Sequence, residues 1–286
     1  MMIKKIAAAA ALAAAAVPAF AAINGNTAGT PGELFLSVFD STAKVSYTKD
    51  LAGFDSQASF KTLADDNAGG FSYNWSLAGD ANWTNFTQLA DLSRSKWMVV
   101  SVEKNTSSAL FPNGQRIFTT VKQGDEATVA TVRNGAINNA VGNMVNFFNA
   151  VNTSGTHGVV GTPLDFAVDG SSVNLDSDSG AAYVGEGTTG GLSANFNKNF
   201  LFDASNLIGG SAEFVYLTRS SGQDTNLFIL VDKFANTAGA ANFSFTNGAD
   251  GAALNYTLAP VPEASTYAML LAGLLGIGYM ARRRQG

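Results

Sequence analysis

Asp176-Ser177-Asp178-Ser179-Gly180 places two carboxylates one residue apart before a turn glycine, like the front of a calcium loop. Ca²⁺ takes roughly six to eight oxygens, and an EF-hand-type loop supplies a bidentate acid further on. Ala182 stands near where that acid belongs and Glu186 comes slightly early, so a hydrogen-bonded Asx turn explains the pair better. Asp176 and Asp178 are the calcium candidates, and no other cofactor is implied. The single histidine, His157, cannot build a histidine metal site by itself. A Ser-His-Asp triad lacks a nucleophile-elbow sequence around any serine. A glycosidase needs two facing carboxylates about 5 to 10 Å apart; acids are plentiful, but no pair is singled out. No catalytic residue is assigned. Trp75, Trp83, Phe86 and Trp97 lie among Asn and Thr residues, and aromatic faces beside amides and hydroxyls suit sugar rings. The same four rings would equally fill a core.

The chain has no cysteine, which removes thiolate zinc, iron–sulfur and thiol-nucleophile chemistry, and also disulfides. A body of some 240 residues can be held by apolar burial alone, because the buried fraction rises with chain size. Of 22 acidic residues 21 fall between the two end segments, against 12 of the 17 basic ones. That acidity gives no basic stripe to neutralise phosphates, so nucleic acid is not an expected partner.

The two ends read as processing segments. Lys4 and Lys5 open the chain, an apolar run follows from Ile6 to Val17, and Ala19-Phe20-Ala21 offers a cleavage site. Residues 1–21 therefore read as a signal peptide for Sec export. At the other end come Val261-Pro262-Glu263-Ala264, the apolar run Tyr267 to Ala281, and Arg282-Arg283-Arg284. Fifteen helical residues rise about 22 Å, short of a hydrocarbon core of roughly 30 Å. Such a helix spans only by thinning the bilayer or by arginine snorkelling, which suits a transient anchor. Basic residues at both ends stay cytosolic, which puts everything between them across the membrane. Pro262 leaves its neighbours extended and uncoupled from the last strand.

This order of Pro-Glu motif, short glycine-containing apolar helix and arginine cluster resembles the PEP-CTERM sorting signal of Gram-negative bacteria. The resemblance covers about the last 26 residues. Pro262 and Glu263 match the motif, while Ala264 replaces its second proline. What it implies is recognition by an exosortase, a membrane-embedded transpeptidase-like enzyme that cuts near the motif. It also implies an association with bacteria that make exopolysaccharide, biofilm or flocs.

The elements between the ends, residues 22–260, are mostly short strands. Glu33–Phe39 reads as a buried strand with Lys44–Tyr47 as its hairpin partner. Phe71–Leu77 alternates aromatic with polar residues, and Trp97–Val102 and Arg116–Val121 follow. From Glu126 to about Val151 the spacing of Val129, Ile137, Val141, Met144, Phe148 and Val151 predicts an amphipathic helix. Asp125 stands at its N-cap, and Asn134-Gly135 interrupts it. Residues 153–191, rich in Gly, Ser, Thr and Asp, read as loops with short strands and as a candidate sub-boundary. Ala212–Leu217, Leu227–Phe234, Asn242–Phe245 and Ala252–Leu258 complete the strands, with Asn247-Gly248 and Asp250-Gly251 as hairpin chemistry. The expected fold is a mainly β, jelly-roll-like antiparallel sandwich with one amphipathic helix and a C-terminal transmembrane helix.

The expected function is that of an exported, non-enzymatic structural or adhesive protein at the cell surface or in the matrix, with exopolysaccharide as partner. A carbohydrate-binding module and a polysaccharide hydrolase are the alternatives.

Overall fold

The structure, a computed structural model, describes residues 23, 33–51, 70–103, 115–157, 170–177, 181–185, 203–220, 224–248, 251–260, 269–275 and 277. The signal peptide 1–21, the motif Val261–Ala264, Asp178 and Arg282–Arg284 lie outside these residues.

In chain order the elements are β1 (Phe35–Asp40), β2 (Val45–Asp50), β3 (Phe71–Ser76), α1 (Ala81–Leu89), β4 (Lys96–Glu103), β5 (Arg116–Val121) and α2 (Asn134–Val151). They continue with β6 (Ser171–Leu175), β7 (Asn206–Leu207), β8 (Ser211–Thr218), β9 (Leu230–Lys233), β10 (Ala235–Asn236), β11 (Gly239–Ala240), β12 (Asn242–Gly248) and β13 (Gly251–Leu258). Every strand pairing is antiparallel. The predicted strands are present where alternation or apolar runs placed them, and β12 and β13 form the closing hairpin.

The expected sandwich is not confirmed: the described strands form one antiparallel sheet of eleven strands and a separate two-stranded one, β10-β11. The path of the larger sheet runs β3-β13-β12-β8-β5-β4-β1-β2-β6, with β7 beside β4 and β9 beside β8. This sheet curls. Trp97 on β4 meets Phe245 on β12 with ring centroids 6.2 Å apart. In a flat sheet three strand spacings of about 4.8 Å would hold them roughly 14 Å apart. Trp83 of α1 touches Tyr47 on β2 at 5.3 Å and Phe245 at 5.6 Å, although five spacings, roughly 24 Å, separate those strands along a flat path.

Alternation sorts the side chains into two cores. Facing inward, Leu36 and Val38, Trp97 and Val99, Phe118, Phe214, Phe243, Leu254 and Trp75 make one cluster, into which α1 inserts Trp83 and Phe86. Their sequence neighbours Phe35 and Phe39, Met98 and Val100, Ile117 and Val121, and Val215 and Leu217 face the other way, under α2. There Phe147 stacks on Phe35 at 5.3 Å and Phe148 meets it edge-on at 5.7 Å. A central strand such as β4, covered on both sides, must be apolar on both, which explains its Trp-Met-Val-Val run.

The amphipathic helix begins later than its periodicity suggests. Residues 129–131 form one 3₁₀ turn, and α2 starts at Asn134 with Arg133, not Asp125, at its N-cap. Val132 and Arg133 are instead drawn into strand-like pairing: the Ile229 amide donates to the Val132 carbonyl at 3.0 Å, and Arg133 bridges to Phe228. Asp125 turns its carboxylate to the Asp203 amide at 3.0 Å. Beyond Asn134 the periodicity holds, and Ile137, Val141, Met144, Phe148 and Val151 are all buried.

The expected transmembrane helix over 267–281 is not borne out. Residues 269–275 and 277 are helical, but among the described residues no helix is long and apolar enough to cross a membrane. Met269, Leu270, Leu271, Leu274, Leu275 and Ile277 are exposed and take no cover from the body. Residues 267, 268, 276 and 278–281 of the expected span lie outside the described residues.

Candidate functional site

The residues singled out by type lie mostly inside the protein. Trp75, Trp83, Phe86 and Trp97 are all buried, and each belongs to the inner core. Trp75 stacks between Tyr73 and Phe243, at 5.8 and 6.1 Å. The Trp97 indole N–H donates to the Leu207 carbonyl at 3.0 Å, which meets the polar demand of a buried indole. The four rings thus act as packing surface for the curl. His157 is buried, and its amide donates to the Ser154 carbonyl. Asp176 pairs with Lys44 at 3.5 Å and its amide donates to the Lys44 carbonyl, which fastens β6 beside the β1–β2 turn. Among the described residues no three His, Asp or Glu side chains converge to hold a metal.

Sequence reasoning missed α1 and the residue that starts it. Asp80 caps the helix, its Oδ1 accepting from the amides of Asn82 at 2.9 Å and Trp83 at 3.0 Å. An aspartate three residues before a tryptophan, with Phe86 a further three along, was the available signal. The same Oδ1 accepts from the Ser171 hydroxyl of β6 at 3.0 Å. Oδ2 accepts from the Tyr47 hydroxyl at 3.0 Å and faces the Lys49 ammonium at 3.5 Å, both on β2. Asn82 completes the group, donating from Nδ2 to the Ser171 carbonyl and hydroxyl. Lys49 is only 3 % exposed, rare for a lysine. Burial, and then the Asp80 charge, push the Tyr47 phenol well above its ordinary range, so it stays a proton donor.

This network sits between the two margins that the sheet shows among the described residues. β3 is one margin of the sheet and β6 the other. Four residues lead from β3 into α1, which packs on β2 and β6. Among the described residues, side chains bridge this seam and strand pairing does not.

Two further aspartates are structural. Burial raises the Asp40 carboxyl, but the Arg94 guanidinium and the amides of Asp91, Ala43 and Thr42 prevail and hold it at about 2. Arg94 Nε lies 3.0 Å from both carboxylate oxygens. Burial likewise raises Asp203, but the Ser205 hydroxyl and amide and Lys96 hold it below the usual range.

Both ends of the body are fastened by asparagine side chains. Asn152, at the end of α2, accepts from the Ile23 amide at 3.0 Å and donates to its carbonyl at 2.9 Å. At the other end β13 is laced between β12 and β3 as far as Leu258. Asn236 Nδ2 then donates to the Ala259 carbonyl at 2.7 Å. Gly70, at φ +69°, packs so close that a Cβ there would lie 2.6 Å from Pro260 Cα and 2.7 Å from the Leu258 carbonyl oxygen. The fastening thus reaches Pro260, the residue before Val261.

At that residue the match to a known family begins. Residues 260–285 match the family model of the PEP-CTERM protein-sorting motif. No curated protein and no solved structure matches the chain. The tail marks an exported chain with an exosortase as its processing partner and sorting to the surface of a Gram-negative cell.

Proposed function

We propose that the body is a structural, adhesive component of the extracellular matrix, held in exopolysaccharide after the tail is cut. Its contact surface is the outward face of β3, β13 and β12. Register aligns three rows of short polar or small side chains there: Ser72, Thr257 and Asn242; Asn74, Asn255 and Ser244; Ser76, Ala253 and Thr246. Ser72, Asn74, Ser76, Asn242, Thr246 and Thr257 are exposed, and Asn74 donates to Asn255 at 2.6 Å across the strands. Amides and hydroxyls at strand spacing match the donors and acceptors of a polysaccharide chain and carry no charge. The observation that supports the reading is this uncharged face on the very strands from which the sorting tail emerges.

Co-sedimentation of the mature protein with exopolysaccharide from the host tests it. Binding is expected, weakened several-fold in the Asn74→Ala/Asn255→Ala double variant. A mature protein that stays wholly in the supernatant overturns the adhesive reading.

A further inference from the structure

We propose that Lys49 and Asp80 become joined by an isopeptide bond that locks the seam of the curled sheet. The structure holds the two groups as reactants, Nζ 3.5 Å from Oδ2. The rest of the network supplies what amide formation needs. Oδ1 lies against two backbone amides at the start of α1 and the Ser171 hydroxyl, at 2.9, 3.0 and 3.0 Å. Three such donors stabilise the oxyanion of a tetrahedral intermediate. Oδ2, the oxygen that must leave, accepts from the Tyr47 hydroxyl at 3.0 Å. Lys49 is almost fully buried, which disfavours the charged pair and keeps water from competing with the amine. Both groups are held on packed elements, so the reaction is intramolecular and oriented.

The step balances without a cofactor. A proton passes from Nζ to Oδ2, leaving an amine and a carboxylic acid. The nitrogen lone pair attacks Cγ, and the charge gathers on Oδ1 between its three donors. Tyr47 gives its proton to the departing Oδ2 and recovers one from the nitrogen. The C–N bond forms, the C–Oδ2 bond breaks, and one water leaves. The product ties β2 to the cap of α1 and so links the β6 margin to the helix that follows β3. In a chain without cysteine, a covalent tie of this kind does the work of a disulfide.

Intact mass and tryptic mapping of the folded wild-type protein test the proposal. The mass is expected about 18 Da below that of the sequence between whatever ends are found, one water lost. Trypsin should fail after Lys49, and a branched peptide should carry Lys49 joined to Asp80. Lys49→Arg, which keeps the charge but not the amine, should restore the full mass. Tyr47→Phe should slow or abolish the loss while the protein still folds. A folded wild-type protein of full sequence mass, cleaved normally after Lys49, overturns the bond, as does a water loss mapped elsewhere.

Discussion

Asn236 holds the chain where it leaves the fold, its Nδ2 donating to the Ala259 carbonyl at 2.7 Å. The β10–β11 hairpin that carries Asn236 thereby fixes Ala259, two residues before the sorting motif, while Gly70 packs beneath Pro260. Asn236→Ala is expected to cost about 0.5 to 1.5 kcal/mol, the worth of one hydrogen bond. Gly70→Ala should cost more, about 1 to 3 kcal/mol, because it combines a positive φ with a collision against backbone. Urea unfolding of the mature protein measures both. Proteolysis near Pro260 should rise in the two variants while the rest of the body stays resistant.

The tail should behave as a signal whose parts can be removed singly. Glu263→Gln, or deletion of Arg282 to Arg284, is expected to leave uncut precursor or to misplace the chain. Blotting of membrane and extracellular fractions from the native host reads this directly. An unchanged mature size and location in both variants would falsify the sorting role.

Asp40 makes the fold sensitive to acid. Its folded pKa, about 2, lies below the ordinary value of 3.8, so the group stabilises the fold fully above pH 4 or so. That stability is lost as pH falls through the window from about 4 to about 2, and amounts to about 1 kcal/mol once screening through the half-exposed Arg94 is allowed for. Asp203 shifts in the same direction and adds to the loss. Arg94→Ala should lower stability at neutral pH and flatten the acid slope, because Asp40 would then titrate nearer its ordinary value. Denaturant midpoints between pH 2 and 7 give the comparison.

Burial of the three tryptophans sets an optical expectation. Emission should be blue-shifted, resist acrylamide quenching, and stay unchanged when polysaccharide binds the face of β3, β13 and β12. Quenching by polysaccharide would instead place sugar against an indole. Trp97→Ala removes a wholly buried indole and should cost about 3 to 5 kcal/mol by thermal or urea unfolding.

Much of this protein is legible in the order of its residues. Alternation in FSYNWS and the doubly apolar run in β4 announce strands, and the glycines near 248 and 251 announce their hairpin. The sorting tail is legible without any fold, since residues 260–285 match the family model by their order alone. Periodicity also finds α2, though not its start: spacing counts apolar residues, whereas strand pairing at Val132 and Arg133 decides where the helix can begin.

The tertiary structure alone decided partners. Period-two patterning states that one face is buried but not what buries it, so two sheets and one curled sheet write the same alternation. That β3 lies at one margin while β2 pairs with β6 at the other, though β2 and β3 are consecutive strands in sequence, is a fact of topology. The meeting of Lys49 with Asp80, and the conversion of Trp83 and Phe86 from sugar candidates into a plug, follow from that closure. Such contacts depend on where the chain returns in space, which no local spacing encodes.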